Sequence, residues 1–251
     1  MHLLHTMLVN THIAVGAIAL VLFWVPVVAR KGSALHIRSG RFYATAMYVV
    51  TATAFAASIM VLVDPIGIRR PGMELDGEEA AELANAFRMF SLFLLMLSVL
   101  VFTSLRHGIR ALRTRVEVDA LRVPQHRTLI VALGMLGLAV ISIGLMEMRW
   151  LLIIFGGLSI SGAIGMYRET LTVSPSRREA IVAHLGGLIG SGIGAYTAFF
   201  AFGGSRFLRE LLPGQWQVLA WIIAPVVGAL AIHRLSSRYG PRAAAEHSSG
   251  A

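Results

Sequence analysis

Seven long apolar runs divide this chain. They are Leu8–Ala29, Phe42–Val63, Met89–Leu105, Leu129–Met146, Trp150–Tyr167, Ile181–Gly203 and Trp216–His233, and none carries an Asp, Glu, Lys or Arg in its interior. A helix needs about 20 such residues to cross the hydrocarbon core of a bilayer. Backbone placed in lipid must also satisfy its own hydrogen bonds, which restricts spanning structures to helices and closed barrels. Runs of this length predict an all-α transmembrane bundle of about seven spans. Composition agrees: 14% of the residues are charged and 56% apolar, against about 25% charged in a soluble domain. A single membrane domain is expected over 1–235, with a polar, disordered cytoplasmic tail over 236–251. Spans four and five are joined only by Glu147, Met148 and Arg149. They must form a tight helical hairpin, or else one of them is re-entrant.

The charge pattern orients the bundle. The connections at 30–41, 106–127 and 168–180 and the tail after 233 hold 16 of the 22 basic residues. Basic connections stay in the cytoplasm, so the N-terminus is expected outside and the C-terminus inside a bacterial-type inner membrane. The net charge of +9 is thereby explained by topology, and nucleic acid is not expected as a partner. The opening MHLLHT lacks the basic residues of a signal peptide, so the first run reads as a retained span. The connection at 64–88 contains an acidic, helix-prone stretch, MELDGEEAAELANAF, expected at the membrane surface. A second interfacial helix is expected at 205–216. Trp150, Trp216 and Trp221 fall near span ends, at headgroup level.

There is no cysteine, which excludes disulfides, thiolate metal sites and cysteine nucleophiles. No HExxH and no GxxxxGK[ST] occurs, and no GxSxG in a suitable context. Span six, HLGGLIGSGIGAYTAFFAF, repeats small residues every fourth position: Gly186, Gly190, Gly194 and Ala198, with Gly187, Ser191 and Ala195 in the adjacent row. Gly157, Ser161 and Gly165 in span five, and Gly134 and Gly137 in span four, repeat the device. Such stripes let helices approach closely, and they also make room for a flat cofactor or a lipid tail. Tyr43, Thr45, Tyr48, Thr51, Thr53 and Ser58 give span two a polar character, suited to back-bonding onto the helix or to lining a small cavity.

Histidine carries the functional expectation. His12 lies about one turn inside the outer end of span one, and His184 about one turn inside the inner end of span six. His36, His107, His126 and His233 fall at the inner boundary. Ionisable residues within spans are costly and point to function, and neutral imidazole is a common metal and haem ligand. Against this, histidine is also comfortable at an interface. The residues expected to bind a cofactor are His36, His126, His184 and His12, with haem b or a transition metal as the cofactor and a quinone or small redox partner for electron transfer. The alternative is a non-enzymatic carrier or partner subunit for a small molecule or lipid. An enzyme acting on lipids ranks below both. Membrane lipids and a second copy of the chain complete the expected partners. No buried carboxylate or intramembrane Lys or Arg is evident, which argues against transport by a charged-residue mechanism.

The connection after span one reads RKGSALHIRSGRFY. With His12 before it and Met47 after it, its Lys31-Gly32, His36 and Gly40 give a KG-x3-H-x3-G pattern. In this the chain resembles a family of uncharacterised bacterial multi-pass inner-membrane proteins, a domain-of-unknown-function family. His184 and the Thr197-Ala198-Phe199 stretch of span six extend the resemblance. It implies a fold and a location, not an activity. Independently of it, Gly32 and Gly40 suit a tight turn between helices, and Arg30, Lys31, Arg38 and Arg41 suit anionic headgroups. His36 among them reads equally as a ligand or as a helix cap.

Overall fold

The computed structural model describes residues 1–114, 116–203 and 219–237, and they are helical throughout with short turns between. The helices are α1 (His2–Val28), α2 (Ala34–Val63), α3 (Pro65–Arg69), α4 (Gly77–Arg113), α5 (Pro124–Met146), α6 (Trp150–Leu171), α7 (Arg177–Ala198) and α8 (Leu219–Ser237). A 3₁₀ turn covers Val118–Leu121, and a π turn at Phe199–Gly203 ends α7. Among the described residues six helices are long and apolar enough to cross a membrane, and α8 is a shorter apolar helix, so the protein is a multi-pass membrane protein of the expected fold class. The helix expected at 205–216, Trp216 with it, and the tail beyond Ser237 lie outside the described residues.

The contacts group the chain into two compact units, Met1–Phe102 with Leu129–Gly165, and Thr103–Thr128 with Met166 onward. In the first unit, α1 and α2 pair as a hairpin. Gly32 takes φ +79° in the turn, a left-handed conformation that glycine adopts without a Cβ clash. Ser33 caps α2 by accepting from His36 N at 3.2 Å. Lys31 Nζ donates to Pro26 O at 2.9 Å and to Val27 O, placing a cation on the bare carbonyls at the C-terminus of α1.

α5 and α6 form the second hairpin, turning at Met148, whose φ is +50°. Their 23 and 22 residues are each about 33–35 Å of helix, enough to cross unaided. Close approach is made through Gly137 and Gly156. A methyl placed on Gly156 would lie 2.8 Å from Gly137 O. The stripe expected at Gly157, Ser161 and Gly165 is therefore displaced by one residue. Gly157 meets only Ile141 Cδ1 at 3.9 Å, and Gly165 has nothing within 4 Å.

α4 departs most from the hydropathy reading. It runs for 37 residues, about 55 Å. From Gly77 on, the acidic stretch expected to lie on the membrane surface forms its first turns, with Glu78 and Glu79 at the favourable N-terminal end of the helix dipole. Its last turns, through Arg113, lie in what hydropathy assigns to a connection. Polar and charged residues such as Arg and Glu are good helix formers, so the end of an apolar run is not the end of a helix.

In the second unit the end of α4 meets α7 at Gly108 and Gly187. A methyl on Gly187 would lie 2.5 Å from Ser104 O and 2.6 Å from Gly108 Cα. The contact row of α7 is thus the Gly187/Ser191 row, Ser191 being fully buried. Gly186 and Gly190, in the other row, have nothing within 4 Å. Arg110 Nε donates to Ala120 O and Arg127 to Thr170 O, tying the connections together. α7 opens on a capping box, in which Ser176 and Glu179 satisfy each other's backbone N–H.

Candidate functional site

The end of α4, the start of α5 and the end of α6 bring three ionisable side chains into one hydrogen-bonded line. His107 Nδ1 lies 3.0 Å from His126 Nε2, and His107 Nε2 lies 2.7 Å from Glu169 Oε2. The imidazole rings stack, with centroids 5.2 Å apart at 29°. His126 is 0% exposed and His107 2%, whereas the Glu169 side chain is 46% exposed. The line runs from an accessible carboxylate to an imidazole sealed from solvent. Glu169 opens onto a cleft of about 470 Å3, also lined by Ala111, Thr114, Leu121, Thr172 and Ser176.

Donor and acceptor bookkeeping leaves two arrangements of the protons. An ionised Glu169 accepts from His107 Nε2–H. If His107 is neutral, its Nδ1 then accepts, so His126 donates through Nε2–H and keeps a lone pair on Nδ1. If His107 is an imidazolium, it donates at both nitrogens, and the neutral His126 carries its proton on Nδ1. The two arrangements differ by one proton. A proton delivered to His126 Nδ1 can leave as the Nε2 proton to His107, and His107 can hand its own Nε2 proton to Glu169. Afterwards each histidine carries its proton on Nδ1, and once Glu169 has released its proton, two lone pairs face each other across the Glu169–His107 contact. That repulsion favours return to the starting tautomers.

The residues expected from sequence divide between the units. His126 is the innermost member of the line. His184, on α7, donates from Nδ1 to Gly108 O at 3.0 Å, next in sequence to His107. In the first unit His36 donates from Nδ1 to Pro26 O at 2.9 Å, and His12 from Nδ1 to Val50 O at 2.9 Å, with Thr53 Oγ1 3.4 Å from the same nitrogen. Fourteen residues of α1 separate His12 from Pro26, about 21 Å of helix, so His12 and His36 hold different ends of the α1–α2 hairpin. The sequence places His107 at the inner boundary and Glu169 within the 168–180 connection, and marks neither as a ligand. Both are needed to complete the line. Among the described residues, no group of three or more His, Asp and Glu side chains is arranged to hold a metal ion.

No family model matches this chain, and neither a curated protein nor a solved structure matches it.

Proposed function

We propose that this protein moves protons: a proton-coupled membrane carrier whose basic side, bearing the Glu169 cleft, faces the cytoplasm across a bacterial inner membrane. The observation that carries this reading is the unbroken line Glu169–His107–His126, one end accessible and the other sealed. Chains of Glu and His within membrane proteins are the usual means of relaying protons. A carboxylate as the outermost member exchanges protons rapidly with water, and two imidazoles pass them on without a charge separating far from its partner. The basic residues concentrated on the same connections support the orientation.

Purified protein in liposomes containing a pH-sensitive dye tests it. Under an imposed potential the vesicle interior is expected to acidify faster than in protein-free liposomes. A rate equal to that of empty vesicles abandons the reading.

One observation favours a second reading, a haem b or transition-metal protein working with a quinone. At His12, His36 and His184 the Nδ1–H is donated to a backbone carbonyl, leaving Nε2 as the nitrogen with the lone pair. That is the tautomer a ligating histidine needs. Absorption spectra of oxidised and dithionite-reduced protein decide it. A Soret band that moves on reduction is expected if haem is bound, and a flat visible spectrum with no metal by elemental analysis ends this reading.

A further inference from the structure

The proton line stops at His126 Nδ1. That atom is buried and has no hydrogen-bond partner among the described residues. Thr103 Oγ1, in a side chain that is 0% exposed, is likewise without a partner among the described residues. Hydroxyls in an apolar helix normally bond back to a carbonyl three or four residues earlier. Thr51, Thr53, Ser98, Thr114, Ser142, Thr170 and Ser191 all do so here. Thr103 does not. Ser91 and Thr197 share this property, and Nε of Arg122 and of Arg127 are also without a partner, but of the three hydroxyls Thr103 is the one a single helical turn from His107. It is four residues before His107 on the same face of α4. Helical side chains lean toward the N-terminal turn, so the His107 ring leans toward Thr103, and His126 is stacked on that ring. Leaving two such polar atoms unpaired in the interior costs about 1–3 kcal/mol each, which a single shared hydrogen-bonding ligand removes.

Resting on the proton-relay reading and extending it inward, we infer that Thr103 Oγ1 and His126 Nδ1 together hold one water molecule, which exchanges protons with His126. Thr103 is a positioning residue: its hydroxyl donates to the water oxygen and turns a water O–H toward Nδ1. A proton arriving as hydronium at this position breaks one O–H bond and forms Nδ1–H, and neutral water stays behind. The water is then the innermost element of a line of four, and the hydroxyl is what keeps it aligned.

Two substitutions at one position test this, read as proton flux in liposomes with Glu169→Gln run alongside. Thr103→Val keeps the shape and removes the hydroxyl. Thr103→Ser keeps the hydroxyl and removes the methyl. Thr103→Val is expected to lower the flux by about tenfold, below the usual contribution of a positioned proton-transfer group, while Thr103→Ser stays within about twofold of the unmodified protein. Flux unchanged in Thr103→Val but lost in Glu169→Gln overturns the inference and leaves the relay standing. Equal losses in Val and Ser also overturn it, because packing rather than the hydroxyl is then what matters. Flux unchanged in both Thr103→Val and Glu169→Gln removes the relay and this inference with it.

Discussion

Glu169→Gln is expected to cut proton flux by about a hundredfold, the low end of what a positioned acid–base group contributes, while thermal stability in detergent stays close to that of the unmodified protein. Glutamine is nearly isosteric, and its amide oxygen can still accept from His107 Nε2–H at the present 2.7 Å. The resting hydrogen bond survives. What is lost is the ability to take a proton from His107 and release it to the cleft, because an amide does not titrate in this range. His107→Ala is a poorer test. It opens a cavity at a residue 2% exposed and leaves His126 without its partner, so lost flux and lost structure would arrive together. His126→Phe complements the glutamine variant by replacing a buried imidazole with an apolar ring of similar shape. It should also abolish flux while retaining much of the stacking on His107. Flux within twofold of the unmodified protein in Glu169→Gln would remove the carboxylate from the mechanism.

The spans were legible because lipid imposes a simple demand, about 20 apolar residues without a charge, and the chain meets it run by run. Hydropathy was silent on what lies beyond the last apolar residue. It ended span three at Leu105, whereas α4 continues to Arg113 and carries His107 on that continuation. It ended span five at Tyr167, whereas α6 continues to Leu171 and carries Glu169. Both residues fall in what hydropathy reads as connections, where His107 is one boundary histidine among four and Glu169 attracts no notice. A usable signal was present. Glu169 is one of few acids on the basic side, and it follows a span end by two residues. The expectation that no buried carboxylate serves proton transfer looked for an acid inside a span. The structure places one at a helix end instead, against a histidine that is itself sealed. The small-residue stripes were legible as devices, but their phase was not. Which row of α7 meets its neighbour depends on helix rotation, and rows one residue apart read equally well in sequence.

Gly187→Ala is expected to be the most damaging conservative change on α7. The added methyl would lie 2.5 Å from Ser104 O, 2.6 Å from Gly108 Cα and 2.7 Å from Gly108 N. All three are backbone atoms of α4, so no side chain can swing away to relieve the contact. The helices must separate by roughly 1 Å, and overpacking of this kind typically costs about 1–3 kcal/mol. Separation also lengthens the His184 Nδ1–Gly108 O bond, now 3.0 Å, and shifts the turn of α4 that carries His107. Stability and proton flux should therefore fall together in Gly187→Ala, in contrast to Glu169→Gln, where only flux falls. Gly186→Ala, one residue earlier, is the control: nothing lies within 4 Å of the added methyl, and alanine is the better helix former, so its melting temperature should be unchanged or slightly raised. Equal melting temperatures for the two alanine variants would mean that α4 and α7 do not cross at Gly108 and Gly187. The site would then have lost the contact that holds the His107 turn in place.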